Sequence, residues 1–430
     1  MTMDTFEVEG GIPLHGEVAL SGAKNAALPI MAAAILARGK VTLKHMPHLS
    51  DIDSMMKILR TLGVSTEWSG PDTVELEVRD ESCTVAPYDL VNTLRASICV
   101  LGPLLARRGS ARVPLPGGCV IGVRPIDLHM KGLKALHADV DVEHGDVIAN
   151  AVKLFGNEIY LGGPHGSTVL GTANVLSAAT LAEGQTIIED AACEPEIQEL
   201  AKFLVLMGAK ISGIGTKRLI VEGVDELHGA EFEILPDRIE AGTFMVAAAL
   251  TGGNVLVRDV QREYMGAVFD ALRSTGVELI PEKKGCRVIG PERFQTVDLT
   301  TASFPGFPTD MQAQMMALLA LANGISVITE RIYPDRFMHV AELNRMRANI
   351  RKEGSSAIIV GVDYLSGAPV MASDLRASAA LVLAGLVARG TTTISRVYHI
   401  DRGYERIEEK LAGLGARIKR VPEKAGAGNG

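Results

Sequence analysis

The chain has 430 residues, of which 47% are hydrophobic and 22% are charged, and its formal net charge is −8. This length exceeds one ordinary hydrophobic core and predicts two domains or more. The negative charge argues against nonspecific nucleic-acid binding, which needs a basic surface. Aromatic residues make up only 4%, so we expect an aliphatic core.

In chain order, an alanine-rich helix, a strand, a second helix and another strand recur at intervals of about 60–80 residues. The first helices of the six copies are predicted at residues 25–38, 94–108, 172–183, 240–250, 311–322 and 375–389. The second helices are predicted to end at residues 62–64, 136–138, 207–209, 275–277, 353–355 and 414–416. Most copies place a glycine between a helix and a β-branched run, which favours a helix stop followed by a strand.

Six copies divide into two groups of three. We therefore predict an α/β fold with two domains. Residues 22–235 form one domain, which carries Cys119, and residues 1–21 together with 236–430 form the other. A strand at residues 5–18 is expected to pair within this second domain, and the Gly/Ala-rich tail at 423–430 is expected to be disordered.

The five cysteines are Cys83, Cys99, Cys119, Cys193 and Cys286. Their scatter predicts neither a disulfide framework nor a metal site, and it fits a reducing cytoplasm. The longest apolar runs fall short of the roughly 20 residues that a membrane span needs. No Walker loop or dinucleotide fingerprint is present, so we expect a cytoplasmic protein with no cofactor, metal or membrane insertion.

A proline and two glycines at residues 116–118 predict a flexible loop with Cys119 at its tip. Arg124 follows five residues later, and a nearby cation favours the reactive thiolate. Free cysteines are usually buried and inert, however. The loop by itself leaves open both a reactive thiol and an incidental cysteine.

Four cations lie at or near predicted helix beginnings: Lys24, Arg95, Arg376 and Arg402. Each alone is more often a surface residue, but their recurrence predicts a site for a small anion bearing phosphate and carboxylate. Asp310 also lies at a predicted helix start. It is either an N-cap or a carboxylate that accepts a proton from a substrate hydroxyl.

These residues stand in motifs that span most of the chain, at 22–26, 94–97, 115–119, 124–129, 307–312, 336–340, 374–378 and 399–405. In these motifs the chain resembles the UDP-N-acetylglucosamine enolpyruvyl transferases of the EPSP synthase family. The resemblance implies a two-domain inside-out α/β barrel built from six repeated units, with the active site in the interdomain cleft. It also implies transfer of enolpyruvyl from phosphoenolpyruvate to the 3′-hydroxyl of UDP-N-acetylglucosamine, the first committed step of peptidoglycan synthesis, with release of phosphate.

The resemblance further implies roles for individual residues. Cys119 would protonate the enol carbon and can form a covalent phospholactoyl adduct, and Asp310 would meet the sugar hydroxyl as base or orienting group. Phosphoenolpyruvate would contact Lys24, Asn25, Arg124 and Arg402. The UDP-sugar would contact Arg95, Arg124, Pro125, Ile126, Asp127, Leu128, Asp310, Ile332 and Arg336. Asp374 and Arg376 would support the site, and the chain departs from the family pattern near the diphosphate at residues 168–172.

Two alternatives stay open at this point. The sister enzyme, which acts on shikimate 3-phosphate, shares the implied fold but lacks the cysteine loop and the 124–129 segment. A catalytically silent paralogue could bind the UDP-sugar as a sensor or scaffold. Every matched catalytic position is filled here, which counts against the silent paralogue.

Overall fold

The computed structural model describes residues 4–115, 126–164 and 166–422. These residues form two compact units. The N-terminal unit comprises the described residues between 22 and 235, and the C-terminal unit comprises residues 4–21 and 236–422. No helix in the described ranges is both long enough and apolar enough to cross a bilayer.

The α-helices of these ranges follow one another as α1 (Lys24–Ala33), α2 (Ser50–Thr61), α3 (Tyr88–Val91), α4 (Leu101–Arg108), α5 (Asp127–Ala135), α6 (Val169–Ala179), α7 (Pro195–Leu206), α8 (Arg238–Leu250), α9 (Gly266–Ser274), α10 (Gln312–Leu319), α11 (His339–Arg345), α12 (Leu375–Val387) and α13 (Ile407–Gly413). Short 3₁₀ helices cover Ala34–Leu36, Arg95–Val100, Arg262–Tyr264, Thr309–Met311 and Val397–Arg402.

The strands of the N-terminal unit are β3 to β17, and β1, β2 and β18 to β27 belong to the C-terminal unit. In chain order they are β1 (Thr5–Glu9), β2 (His15–Val18), β3 (Ala37–Arg38), β4 (Val41–Lys44), β5 (Val64–Trp68), β6 (Val74–Val78), β7 (Ser110–Pro114), β8 (Asp139–Glu143), β9 (Asp146–Asn150), β10 (Glu158–Tyr160), β11 (Gly162–Gly163), β12 (Gly166–Ser167), β13 (Gln185–Glu189), β14 (Lys210–Ser212), β15 (Arg218–Glu222), β16 (Leu227–His228), β17 (Glu231–Glu233), β18 (Asn254–Arg258), β19 (Glu278–Glu282), β20 (Gly285–Ile289), β21 (Leu299–Thr300), β22 (Ile325–Thr329), β23 (Asn349–Glu353), β24 (Ser356–Val360), β25 (Pro369–Met371), β26 (Thr391–Ser395) and β27 (Arg417–Val421).

The larger sheets repeat one pattern. In β17-β4-β6-β5 and β10-β13-β15-β14, an edge strand runs parallel to its neighbour and the next two strands are antiparallel. The C-terminal unit repeats this order in β25-β26-β1-β27, β2-β18-β20-β19 and β21-β22-β24-β23. The sheet β7-β9-β8 contains the three antiparallel strands of this pattern, and a parallel bridge from Val85 to Arg112 takes the place of the parallel edge strand.

Helices that are apolar on nearly all sides occupy the core of each unit. In α1 and α6 of the N-terminal unit almost every residue is buried, and the same holds for α8, α10 and α12 of the C-terminal unit. Their alanine-rich sequences allow this, because small side chains let neighbouring helices and strands approach closely. The second helix of each copy, such as α2 or α9, instead buries one face only.

The structure confirms most predicted elements, with two corrections. The predicted strand at 5–18 is two strands, β1 and β2, which pair with β26, β27 and β18 of the C-terminal unit as expected. The predicted helix end at 353–355 is wrong, because residues 354–355 form the turn of the β23–β24 hairpin. The second helix of that copy, α11, ends eight residues earlier at Arg345.

Candidate active site

Three predicted site residues, Cys119, Arg124 and Pro125, lie outside the described residues, as does the tail at 423–430. The other predicted site residues are described. They are distributed over both units.

In the N-terminal unit, Lys24 is the first residue of α1 and is buried. Its Nζ lies 2.9 Å from Oδ2 of Asp51 in the first turn of α2, and the two side chains are only 9% and 5% exposed. A buried ammonium is stable only when it is paired, because removing a charge from water is costly. Asp51 therefore holds Lys24 at the start of α1, next to the half-buried Asn25.

Arg95 and the segment 126–128 belong to one neighbourhood of the same unit. Arg95 begins a 3₁₀ helix, and its charge acts on His129, which follows Leu128 on α5. Burial, with a smaller effect from Arg95, lowers the pKa of His129 to about 4. Ile126 is buried, Asp127 is exposed and Leu128 is half-buried.

An asparagine on α6 fixes this neighbourhood. Asn174 Nδ2 lies 2.9 Å from His129 Nδ1, and it also donates to the Ile98 carbonyl oxygen at 2.9 Å. Its Oδ1 accepts from the Gly102 N–H at 2.8 Å. Since the amide nitrogen can only donate, His129 Nδ1 is the acceptor and the ring proton is on Nε2. The neutral ring agrees with the low pKa.

The segment that departs from the family pattern, residues 168–172, forms the beginning of α6. Thr168 is the N-cap, and its hydroxyl oxygen accepts from the Gly171 N–H at 3.2 Å. Thr172 donates to the Thr168 carbonyl at 2.7 Å and accepts from the Ala192 N–H at 3.1 Å. Both threonine hydroxyls thus have local structural partners.

In the C-terminal unit, Asp310 lies between two buried arginines. Arg336 Nη1 is 2.7 Å from Oδ1, and Arg376 Nη2 is 3.1 Å from Oδ2. The arginine side chains are 8% and 2% exposed, whereas that of Asp310 is 26% exposed. Burial by itself would lower the pKa of each arginine, but neighbouring acidic groups, including Asp310, raise it above the ordinary value. The carboxylate is therefore held by two permanent cations and still reaches solvent.

A second buried carboxylate positions the segment of Ile332 and Arg336. Glu330 Oε1 accepts from the N–H groups of Ile332 and Tyr333 at 2.8 and 3.0 Å. Its Oε2 accepts from Thr309 Oγ1 at 2.9 Å, and this hydroxyl oxygen in turn accepts from Arg336 Nη1 at 3.0 Å. The fully buried Glu330 thereby connects the turn containing Asp310 to the arginine that holds it.

Asp374 and Arg376 form the start of α12. The Asp374 carboxylate caps the helix by accepting from the N–H groups of Arg376 and Ala377 at 2.9 and 3.1 Å. This cap fixes the residue whose guanidinium reaches Asp310. Arg402 is half-buried and ends the 3₁₀ helix Val397–Arg402, so it lies before α13 rather than at its beginning.

Comparison with known proteins shows the family. The family model described as "EPSP synthase (3-phosphoshikimate 1-carboxyvinyltransferase)" matches residues 8–411 of the sequence. The chain belongs to the EPSP synthase family. It is 55% identical over 422 residues to UDP-N-acetylglucosamine 1-carboxyvinyltransferase of Methylacidiphilum infernorum (isolate V4), covering 98% of this chain and 100% of the relative. Its identity to the enzyme of that name from Myxococcus xanthus (strain DK1622) is 54% over 425 residues, covering 98% and 100%.

Two solved structures share the fold. The enolpyruvyl transferase NikO from Streptomyces tendae superposes with a TM-score of 0.88 at 24% identity, over 99% of this chain and 100% of that one. EPSP synthase from Acinetobacter baumannii gives a TM-score of 0.75 at 19% identity, over 97% and 100%. At these identities the likeness concerns the fold alone. The curated relatives identify the chain as a transferase, and its fold is mixed α/β.

Sequence reasoning missed several residues that hold the predicted ones in place. Asp51, Glu330 and Asn174 are buried polar residues with the partners given above. Asp51 looks like any acidic residue in the first turn of a helix, where the dipole favours it. Glu330 follows a strand and has no motif around it. Only tertiary structure shows that Asp51 and Glu330 contact the predicted site residues Lys24 and Ile332, and that Asn174 contacts His129 beside Leu128.

Proposed function

We propose that this chain transfers the enolpyruvyl group of phosphoenolpyruvate to the 3′-hydroxyl of UDP-N-acetylglucosamine and releases phosphate. The observation that carries the proposal is the 54–55% identity, over 98% of the chain, to two proteins named UDP-N-acetylglucosamine 1-carboxyvinyltransferase. The cysteine-loop sequence and the 124–129 segment support it. The EPSP synthase structure is only 19% identical, so it supports the shared fold rather than the shikimate 3-phosphate acceptor.

The reaction divides into addition and elimination. Cys119 donates a proton to the enol carbon, which leaves an oxocarbenium-like centre at the adjacent carbon. The sugar hydroxyl adds to that centre while Asp310 accepts its proton. One methyl proton then returns to the Cys119 thiolate as phosphate leaves, which restores the double bond and the thiol, and the proton held by Asp310 leaves with the phosphate. The two guanidiniums on Asp310 keep it as an ionised acceptor aimed by fixed hydrogen bonds.

The remaining predicted residues bind the substrates in this proposal. Phosphoenolpyruvate is bound by Lys24, Asn25, Arg124 and Arg402, whose cations match a phosphate and a carboxylate. The UDP-sugar is bound by Arg95, by residues 124–128 and by Ile332 and Arg336, with Asp374 and Arg376 supporting Asp310. The buried Lys24–Asp51 pair supports this, because a lysine held at the start of a helix is suited to a phosphate ligand.

The finer architecture is part of the proposal. The repeated sheet order supports six copies of one α/β unit, three to each domain, with residues 22–235 as one domain and 1–21 plus 236–430 as the other. Their assembly into an inside-out barrel with an interdomain active site stays a prediction from the resemblance. A cytoplasmic location fits the unpaired thiols of Cys83, Cys99, Cys193 and Cys286.

Product analysis with cysteine variants tests the proposal. The wild-type protein should convert both substrates to the enolpyruvyl ether of UDP-N-acetylglucosamine, identified by mass spectrometry. Cys119→Ser should lose nearly all turnover, because a hydroxyl is a far weaker acid than a thiol, and should still bind the UDP-sugar. Cys83→Ser, a matched control at another free cysteine of the chain, should retain full turnover. An active Cys119→Ser variant would show that the loop thiol is not the acid.

A further inference from the structure

The residue that follows Arg402 and Gly403 is a tyrosine buried beneath the Asp310 site. Tyr404 is 1% exposed, and its backbone N–H donates to the Ile400 carbonyl at 3.0 Å. A Cβ on Gly403 would lie 2.5 Å from Leu375, so this turn packs directly against the start of α12. Tyr404 therefore belongs both to the turn of Arg402 and to the core under Arg376.

The hydrogen bonds of the Tyr404 hydroxyl have one consistent direction. Thr243 donates its proton to the Ile239 carbonyl at 2.8 Å, so the Thr243 oxygen is left as an acceptor. Tyr404 lies 2.8 Å from that oxygen and must donate to it. Gln314 Nε2 in turn donates to the Tyr404 oxygen at 3.2 Å. Burial raises the pKa of Tyr404 despite the opposing effect of Arg376, which agrees with a protonated donor.

Two separate contacts lead from Tyr404 to Asp310. Gln314 also donates to the Asp310 backbone carbonyl at 2.9 Å, one helical turn earlier. On the other side, the Arg376 guanidinium carbon lies 5.3 Å from the centre of the Tyr404 ring, within the range of a cation–π contact. The same guanidinium holds the Asp310 carboxylate. Tyr404 thus constrains both the backbone and the carboxylate of Asp310.

We infer that Tyr404 is a positioning residue for the reaction: it aligns the Asp310–Arg376 pair with the turn that carries Arg402. The inference rests on the proposed function for its kinetic consequences, because Asp310 and Arg402 are its proposed acceptor and anion-binding groups. A tyrosine that served only to fill the core would need its ring but not its hydroxyl. The hydroxyl is therefore the part to test.

The charged and titratable groups around this site come from several elements and bear on any pH effect. They are Arg336, Arg376, Asp237, Glu330, His339, Asp374 and Tyr404. The two arginines are cationic throughout the accessible pH range, so their grip on Asp310 favours its ionised form. Loss of the Tyr404 hydroxyl leaves the ring contact with Arg376 in place but removes a partner of Gln314, which also holds the Asp310 backbone. The Asp310 carboxylate then lies less well against the two guanidiniums and is protonated more readily.

The test compares Tyr404→Phe with the wild type and with Tyr398→Phe, a half-buried tyrosine of the preceding 3₁₀ helix. Phosphate release is measured with phosphoenolpyruvate and UDP-N-acetylglucosamine from pH 5 to pH 9. For Tyr404→Phe we expect kcat to fall about tenfold, the loss typical of one well-placed buried hydrogen bond. We also expect little change in KM for phosphoenolpyruvate. In the pH profile of kcat, the fall on the acidic side should begin at a higher pH than in the wild type. Tyr398→Phe should behave as the wild type.

Thr243→Val removes the group that accepts the Tyr404 proton and should change kcat in the same direction. The double variant should lose no more than the worse single variant, because the two hydroxyls act as one unit. If Tyr404→Phe folds poorly, Thr243→Val tests the same hydrogen bond from the other side, and a wild-type kcat in Thr243→Val would then overturn the inference. A Tyr404→Phe enzyme with wild-type kcat and pH profile, whether or not its stability falls, would overturn the inference.

A structural readout separates failure of the inference from failure of the proposed function. Crystal structures of the wild type and Tyr404→Phe should show the Arg376–Asp310 contact, 3.1 Å between Nη2 and Oδ2, lengthened or lost in the variant. An unchanged contact would refute the positioning role. If the wild type releases no phosphate, the proposed function fails, and these two structures still decide whether Tyr404 aligns the pair.

Discussion

Asp51→Asn tests whether the buried pair with Lys24 is what holds that lysine at the start of α1. The substitution keeps the shape of the side chain but removes its charge, which leaves the Lys24 ammonium buried without the carboxylate 2.9 Å away. Breaking a buried ion pair by removing one partner costs about 3–5 kcal/mol. Asparagine can still accept a hydrogen bond, so we expect a loss of about 3 kcal/mol in the free energy of unfolding.

The assay uses the single tryptophan of the chain. Trp68 ends β5 in the N-terminal unit and stacks on His48 with ring centres 4.1 Å apart, so its fluorescence reports on the unit that contains the pair. The midpoint of urea unfolding, followed by Trp68 fluorescence, should shift to a lower urea concentration in Asp51→Asn. For a unit of this size, about 3 kcal/mol corresponds to about 6–12 °C in melting temperature.

Asp53→Asn is the matched control for this experiment. Asp53 lies in the same first turn of α2 and is exposed, so both variants lose the same favourable interaction with the helix dipole. Only Asp51→Asn leaves Lys24 without its buried partner. If the two variants differ by less than about 0.5 kcal/mol, the size of an ordinary surface effect, the account of Lys24 is wrong.

Two further predictions concern one residue in each unit. Asp310→Asn should lower turnover by about 10²–10⁴-fold, the usual contribution of a general base, while calorimetry still detects binding of the UDP-sugar. The control Asp335→Asn changes an exposed aspartate and should leave turnover unchanged. Equal turnover in the two variants would contradict the role of Asp310. His129 binds a proton in the unfolded chain below about pH 6.5 but in the folded chain only near pH 4, so stability is lost as the pH falls through this window. Between pH 7.5 and pH 5 the free energy of unfolding, measured with urea and Trp68 fluorescence, should therefore fall by about 2 kcal/mol less in His129→Gln than in the wild type. Equal losses in the two proteins would show that His129 is not the source of this pH dependence.

The helix ends show how far the sequence predicts the fold. After the second helix of each copy, the chain takes a left-handed conformation at Gly63, His137, Gly208, Gly276, Arg347 and Gly415. Glycine adopts this conformation without strain, so a glycine indicates four of these ends, and the predicted end at 136–138 is confirmed with His137 in that conformation. At Arg347 the conformation is set by the surrounding fold, and the nearby Gly354 suggests a helix end although it forms a hairpin turn.

The candidate site was predictable to a similar extent. Cations and carboxylates at helix beginnings led to Lys24, Arg376 and Asp310, because those positions have a recognisable local chemistry. Asp51 lies 27 residues from Lys24, Glu330 lies 21 residues from Thr309, and Tyr404 lies 90 residues from Gln314. No local pattern indicates such distant pairings, since they depend on how α2, the segment after β22 and the turn before α13 pack.

The most direct test of the proposed function is phosphate release from phosphoenolpyruvate with each of two acceptors, UDP-N-acetylglucosamine and shikimate 3-phosphate. The proposed function predicts release with the UDP-sugar and none above background with shikimate 3-phosphate. Release with shikimate 3-phosphate alone would assign the chain to the sister reaction. Release with neither, from folded protein that binds the UDP-sugar, would contradict the assignment of Cys119 and Asp310 as working catalytic residues.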